Sequence, residues 1–356
     1  MSTTFNVLDF GAIGDGKTDC TKAVQSALDL ASTCQGQVIV PAGEYLVGSL
    51  KIKGHGVSLV GTGAWSFRSK GGSTFILNDE NAECLLDITG AVGCIIQGMY
   101  FLGKRLGNNI HGIKLYWEEY NGGGQEDTPT IDNCKIHGFT GDGVHLEHVF
   151  CFSIRHSFML GNQGAGLFID GWDAFILDNW FTANKNCGIR GGRVVASITM
   201  TGNRIEWNGN AGMSIGAGNH LNVTSNYFDR SFGPAIVMGH KPRSTGIGVH
   251  SSTFTGNILY RSGALKESTT HEKDYDNCHF YLQNSQGIVF SANSLKTGVN
   301  DDGLGNLSPD YGIIIEKCTD CIVKDNALHQ GAVKQLIIEK DNDNCIIKDN
   351  IGRLTK

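Results

Sequence analysis

Proline is scarce, at five residues in 356, and no apolar run approaches the 18 residues that a membrane-crossing helix needs. Basic runs and tails are missing as well. The chain has 29 Lys and Arg against 35 Asp and Glu, a net charge of −6, so the electrostatic footprint of a nucleic-acid binder is absent. The opening segment MSTTFNVLDFGAIGDGKTD has no basic stretch followed by an apolar one. As written, the sequence therefore carries no secretory leader, and a cytoplasmic or phage-associated location is expected over classical secretion. The eleven cysteines are odd in number and scattered. The single CxxC, Cys318 to Cys321, has no second CxxC and no His pair beside it, which predicts reduced thiols packed as small core residues rather than a disulfide scaffold or zinc site.

Glycine and asparagine are abundant instead. There are 49 Gly and 27 Asn, and the Gly share is twice the usual ~7%. Both residues tolerate positive φ, so tight turns are expected throughout. Both are poor helix formers, which argues against a helical bundle. Hydrophobic residues make up 40% of the chain, enough for a sizeable core.

One phrase recurs from about residue 130 onward: apolar-x-apolar-x-x-Asn-x-apolar, a polar turn, then Gly-apolar-x-apolar. Examples are ITMTGNRIEWNGNAGMSI (198–215) and LNVTSNYFDRSFGPAIVM (221–238). Aligning the Asn gives Asn179, Asn203, Asn226, Asn257, Asn293, Asn326 and Asn350, with steps of 24, 23, 31, 36, 33 and 24 residues. A base period near 23 with short alternating strands predicts coils that bury their apolar side only by stacking on one another, the pattern of a parallel β-helix. The aligned Asn would form an internal ladder. Steps above 24 imply insertions: RSGALKESTTHEKDYDNC (261–278) and TGVNDDGLGNLSPD (297–310), with a further polar excursion, WEEYNGGGQEDTPT (117–130). Near the N-terminus, residues 18–32 carry a helical stripe of Ala23, Val24, Ala27, Leu28 and Ala31 behind a Thr or Asp cap. This helix would close the first coil, whose open end is otherwise an exposed sheet edge. With no Pro/Ser-rich linker, residues 1–356 read as a single domain, 1–50 forming the cap and first strands and 130–356 the regular coils.

The stretch FNVLDFGAIGDGKTDCTKAVQSAL, followed by GQVIVPAGEYLVGSL, resembles the opening signature of the pectate-lyase-like superfamily, VxDFGAxGDGxxDDTxA then GGxVxxPxGxY. Residues 7–24 and 36–45 match, except that Cys20 stands where the second Asp of DDT is usual. The resemblance implies an all-β, right-handed, single-stranded parallel β-helix with an N-terminal capping α-helix, and a carbohydrate-active protein. It does not imply catalytic residues, since hydrolases, lyases, fructotransferases and phage tailspikes share the signature. A weaker resemblance to inulin fructotransferases rests on TGDGVHL (140–146) and SPDYGIIIEKCTDCIVKDN (308–326), from which no catalytic residue carries over.

The register of the repeat nominates a site. Equivalent positions on successive coils lie about 4.8 Å apart. The position three after each ladder Asn holds Thr182, Glu206, Asp229, Tyr260, Lys296 and His329, with His137 and Leu160 from earlier coils. The next position holds Trp207, Arg230 and Arg261. Glu206 and Asp229 are thus expected as stacked carboxylates on an outer wall, one serving as acid and the other as base or nucleophile, as glycoside hydrolysis requires. Trp207, Arg230, Tyr260, Arg261 and Lys296 would hold the sugar. Each of these residues also has a plain role as solvated surface or ion-pair partner.

A second patch comprises His145, Glu147 and His148, then Asp170 and Asp173, then Arg190 and Arg193. In HLEH, His145 and Glu147 share one side of a strand, an arrangement open to a metal. Acidic loops at Glu118–Glu119, Glu126–Asp127 and Asp301–Asp302 lack EF-hand spacing. The expectation is therefore a glycosidase or intramolecular glycosyl transferase acting on an oligo- or polysaccharide without metal or other cofactor. The alternatives are a polysaccharide lyase, with Ca²⁺ then possible and Arg261 or Lys296 as base, and a non-catalytic glycan-binding tailspike or adhesin. By fold analogy a homotrimer is plausible.

Overall fold

The computed structural model describes residues 3–63, 66–68, 72–119, 125–240, 246–264 and 277–355. The chain divides into two compact units, Met1–Trp180 and Phe181–Lys356. In both, every strand pairs in parallel with its counterpart one coil later, which is the parallel β-helix pattern. In the first unit, Gly43–Val47, Ser73–Leu77, Met99–Leu102, Lys135–His137 and Phe158–Leu160 form one such stack. Cys84–Asp87, His111–Tyr116, Val144–Phe150 and Leu167–Leu177 form another. In the second unit, Arg204–Glu206, Tyr227–Asp229, Ile258–Tyr260 and Ser294–Lys296 stack in succession.

Alternation along these short strands decides which side chains enter the coil. Ile205, Phe228, Leu259 and Leu295 are in register and essentially inaccessible, forming one inward column, while their neighbours face outward. At the corner, the residue before each ladder Asn has positive φ: Gly202, Ser225, Gly256, Ala292, Asp325 and Asp349 in the second unit. A non-Gly residue in that conformation costs about 1 kcal/mol. The following Asn offsets it by accepting the buried backbone N–H of the preceding coil. Asn203 N donates to Asn226 Oδ1 (3.0 Å), Asn226 N to Asn257 (3.0 Å), Asn257 N to Asn293 (2.9 Å), Asn293 N to Asn326 (2.9 Å) and Asn326 N to Asn350 (3.1 Å). In the first unit the ladder includes Asn179, whose Oδ1 accepts from Ser157 N, and a serine fills the rung before it, with Cys134 N donating to Ser157 Oγ, each at 3.0 Å.

The expected helix spans Thr21–Ser32 and buries Val24, Ala27, Leu28 and Ala31. Its N-cap position is Cys20, which makes no side-chain cap bond; Asp19 Oδ1 accepts from Thr21 N instead (2.9 Å). The thiol of Cys20, the departure from the DDT signature, is buried and donates toward Ile13 O (3.3 Å). Gln25 clasps the backbone of Lys51, with Nε2 to O and N to Oε1 both at 2.9 Å, so the helix covers a sheet edge. Of the eleven cysteines, eight are buried and all are free thiols, as expected from their spacing. Among the described residues no helix is long and apolar enough to cross a membrane. Most of the 261–278 insertion and the middle of the 117–130 excursion lie outside the described residues.

Candidate functional site

The register expected for the second unit is observed. Glu206 pairs with Asp229, Asp229 with Tyr260, and Tyr260 with Lys296. Trp207, Arg230 and Arg261 follow at the corner, all with positive φ. The expectation that both carboxylates stand open on the wall is not met: Asp229 is 1% and Glu206 6% exposed. Arg261 grips Asp229 through Nε–Oδ1 (2.9 Å) and Nη2–Oδ2 (2.7 Å), and Arg230 Nη2 adds a third contact to Oδ2 (2.9 Å). Glu206 has Arg204 Nη2 at 3.4 Å. The arginines lie over aromatic faces, Arg230 at 3.9 Å from the Trp207 ring and Arg261 at 4.2 Å from that of Tyr260. Lys296 stands exposed, 5.9 Å from the Tyr260 ring. Burial lowers the Arg261 guanidinium, but its hydrogen bonds to Asp229 and Asp301 outweigh that and hold it above the ordinary arginine range. These charge-assisted bonds make Asp229 an anchor for two cations.

In the first unit, three successive strands present a grid of outward residues. Lys114, His145 and Phe168 are in register along one column, and Tyr116, Glu147 and Asp170 along the next. His145 Nδ1 lies 2.8 Å from Asp142 Oδ2, and its Nε2 lies 3.3 Å from Glu147 Oε2. The ring packs flat on Phe168 (4.5 Å, 9°) and against His111 (4.3 Å). Asp142 is itself fixed, with Oδ1 accepting from Ala165 N (2.6 Å). His111 Nδ1 accepts the Asp142 N–H (3.0 Å), which requires a neutral ring. Burial, then the neighbouring His145, push the His111 pKa down to about 4. The Asp142–His145 contact is the usual means of setting an imidazole's tautomer, here Nδ1–H toward the carboxylate, with Nε2 on the side of Glu147.

His148 enters this face through a β-bulge. The register with Leu167–Leu177 shifts between Glu147 and Val149, and His148 takes φ +56°. Gly171 opposes Val149, and a Cβ there would lie 2.1 Å from Val149 O, so the neighbouring coil can follow the bulge only with glycine. His148 Nδ1 is tied to Trp117 O (2.8 Å). Potential ligand atoms of Glu147, His148 and Asp170 lie within 4.8 Å of one another, as do those of His111, Asp142 and His145. The second trio is closed by hydrogen bonds. Its 2.8 Å His145–Asp142 contact is shorter than the roughly 3.4 Å between ligands of a tetrahedral site with 2.0–2.1 Å bonds. Beside the grid, His55, Gly90, Val92, Trp117, Gln125, Glu126 and Asp127 line a cleft of about 260 Å³. Asp127, a candidate cation ligand by sequence, is buried and already accepts from Trp117 Nε1, Gln125 Nε2 and Phe150 N.

Sequence reasoning singled out His145, Glu147, His148 and Asp170 but missed Asp142 and His111. Aligning HGIKL with DGVHL on Gly112 and Gly143 would have placed both at one corner. His137 hydrogen-bonds Tyr100 (3.0 Å), and burial holds it below the usual histidine range.

Parallel coils stacked in register define a parallel β-helix protein. The model of the rhamnogalacturonase A/epimerase, pectate lyase-like family matches residues 4–236, and the chain belongs to that family. Mannuronan C5-epimerase AlgE3 of Azotobacter vinelandii is 48% identical over 68 residues, 17% of this chain and 4% of the relative. An exopolygalacturonase of Zea mays is 46% identical over 55 residues, 14% of this chain and 13% of the relative. The chain thus spans only a small part of the curated relatives it matches. The A-module of A. vinelandii mannuronan C-5 epimerase AlgE4 superimposes with a TM-score of 0.58 at 18% identity, covering 99% of this chain and all of the module, which shows the shared fold.

Proposed function

We propose that the protein is an enzyme that removes the proton beside the carboxylate of a uronic-acid residue in a polysaccharide, with His145 as the base. The observation that carries this reading is the Asp142–His145–Glu147 chain, with His145 Nδ1 2.8 Å from Asp142 Oδ2 and Nε2 3.3 Å from Glu147 Oε2, so that an imidazolium formed by proton uptake at Nε2 would be held between two carboxylates. Abstraction of a proton next to a carboxylate needs three groups within one sugar's reach: an oriented base, a cation against the carboxylate, and an acid. Lys114 is in register beside His145 and Tyr116 beside Glu147. Lys114, held at 2.7 Å from Glu83, would offset the developing negative charge. Tyr116, 40% exposed, would donate its phenolic proton to the departing glycosidic oxygen in an elimination. In elimination the C5–H pair becomes the new double bond and the C4–O bond breaks; in epimerisation the same carbanion is reprotonated on its other face. Two relatives named above are described by the polymers mannuronan and polygalacturonan, which supports a uronate substrate.

Hydrolysis by a carboxylate pair is a second reading, favoured by Glu147 and Asp170, which are in register on adjacent strands, Asp170 being 1% exposed. The pair expected from the repeat, Glu206 and Asp229, suits it less, because both oxygens of Asp229 are already bonded to guanidiniums.

A panel of oligouronates incubated in D₂O separates these readings. Unsaturated product or deuterium at C5, reduced at least ~100-fold by His145→Gln, is expected. New reducing ends with neither signature would replace this reading with hydrolysis.

A further inference from the structure

We propose that Arg230 and Arg261 form a binding site for the carboxylate of an acidic sugar, and that Asp301 is a built-in occupant which such a ligand displaces. The site belongs to the second unit and does not depend on the reaction at His145.

The two guanidiniums are prepared as a clamp. Their backbones are fixed at consecutive corners, with Arg230 N donating to Tyr260 O (3.2 Å) and Arg261 N to Lys296 O (3.0 Å). Their planes rest on Trp207 and Tyr260, and their side chains are only 10% and 8% exposed. Asp229 binds them from within, using Nε and Nη2 of Arg261 and Nη2 of Arg230. This leaves Nη1 of each guanidinium, and one net positive charge, unmatched by the coil. Both Nη1 groups reach a single carboxylate, that of Asp301: Oδ1 accepts from Arg261 (2.8 Å) and Oδ2 from Arg230. Two guanidiniums addressing the two oxygens of one carboxylate is the geometry for which arginine is suited. Arg230 Nε is buried with no hydrogen-bond partner among the described residues, so the clamp retains a donor that Asp301 does not satisfy.

Asp301 differs from the other members of this cluster. Its side chain is 67% exposed, on the 297–310 insertion. Val299 and Leu304 of the same insertion are 48% and 71% exposed, and Gly303 and Gly305 take positive φ with open space around them. Arg261 Nη1 also donates to Val299 O (3.1 Å), so the insertion meets the clamp through one backbone carbonyl as well as through the Asp301 carboxylate. A uronate carboxylate offers the same two oxygens, with a sugar ring attached that can lie against Trp207, 38% exposed beside Arg230.

The test is calorimetric titration of trigalacturonic acid, and of its carboxyl-reduced counterpart, into wild type, Asp301→Ala and Asp301→Ala/Arg230→Gln. All three would carry His145→Gln, and chromatography of each titrated sample would check that the sugar is recovered intact, so that the result is independent of the proposed reaction. Removing Asp301 is expected to tighten trigalacturonate binding at least tenfold, to weaken progressively with added salt, and to leave the reduced sugar unbound. Arg230→Gln should abolish the gain. Thermal melts give a second readout: Asp301→Ala should melt below its parent and be raised back by trigalacturonate alone. Equal affinity of parent and Asp301→Ala for trigalacturonate, or equal binding of the reduced sugar, overturns the proposal.

Discussion

Removing one rung of the asparagine ladder tests the structural reasoning most directly. Asn257 is 1% exposed, and its side chain and backbone N–H make five hydrogen bonds. Its Oδ1 accepts from Asn226 N (3.0 Å) and Asn226 Nδ2 (3.1 Å), its Nδ2 donates to Val223 O and Asn293 Oδ1 (3.0 Å each), and its own N–H reaches Asn293 Oδ1 (2.9 Å). Asn257→Ala keeps only the last. Asn226 Nδ2 retains Met200 O and Thr224 O, but the Asn226 backbone N–H is orphaned inside the coil. A buried donor without a partner costs about 1–3 kcal/mol, and the other lost bonds about 1 kcal/mol together, for a total near 2–4 kcal/mol. For a unit of this size that lowers Tm by roughly 5–15 °C. Asn350→Ala is the control. Its Oδ1 accepts the same two donors from Asn326 (3.1 and 2.8 Å), but the rung is half-buried and water can replace it, so a loss of about 1 kcal/mol is expected.

Thermal melts would measure both variants, and hydrogen exchange on peptides spanning Asn226 would show whether the loss is local, as nearest-neighbour coupling in a solenoid requires. Asn257→Asp refines the test. It keeps an acceptor for Asn226 but sets a carboxylate against Val223 O and Asn293 Oδ1, so its deficit should grow as pH rises through the carboxylate range. A cost for Asn257→Ala within 0.5 kcal/mol of zero, or below that of Asn350→Ala, would refute the view that these amides hold the coils together.

Acid should destabilise the fold through its neutral buried histidines. Burial lowers the His111 pKa from 6.5 to about 4 and that of His279 from 6.5 to about 3, so between those values and 6.5 the unfolded chain binds more protons than the native one. Stability is then complete above about pH 6.5 and falls by up to ~1.4 kcal/mol per pH unit per histidine below it. Melts at about pH 7 and about pH 5 should therefore diverge less for His279→Leu than for wild type, and an equal divergence would count against the assignment. Asp229→Asn, which withdraws the inner counter-charge from two buried guanidiniums, should cost about 3–5 kcal/mol in denaturant unfolding. Glu206→Gln should leave turnover of the oligouronate panel within about threefold of wild type, whereas a loss comparable to that of His145→Gln would return the chemistry to the expected pair.

The parts of the molecule legible in its sequence are those set by local periodicity. The step between successive Asn is a backbone quantity. Once each Asn is known to satisfy the N–H of the coil before it, Glu206 must meet Asp229 and Asp229 must meet Tyr260, and they do. What covers those residues is not local. Arg261 lies beyond a coil lengthened to 31 residues, and Asp301 lies on an insertion 72 positions from Asp229, so neither contact leaves a trace in any window around the carboxylates. The bulge at His148 is invisible for a different reason. HLEHV reads equally well as uninterrupted alternation, and only the glycine one coil later, at Gly171, hints that the backbone there must come closer than a side chain allows. Alternation therefore assigned the outer wall correctly, while the distinction between an open carboxylate and one sealed under arginine was decided by side-chain reach. That is why the chemistry is sought at the Asp142–His145–Glu147 chain, where a shared corner sets an imidazole between two carboxylates, and not at the carboxylate pair that the repeat made most conspicuous.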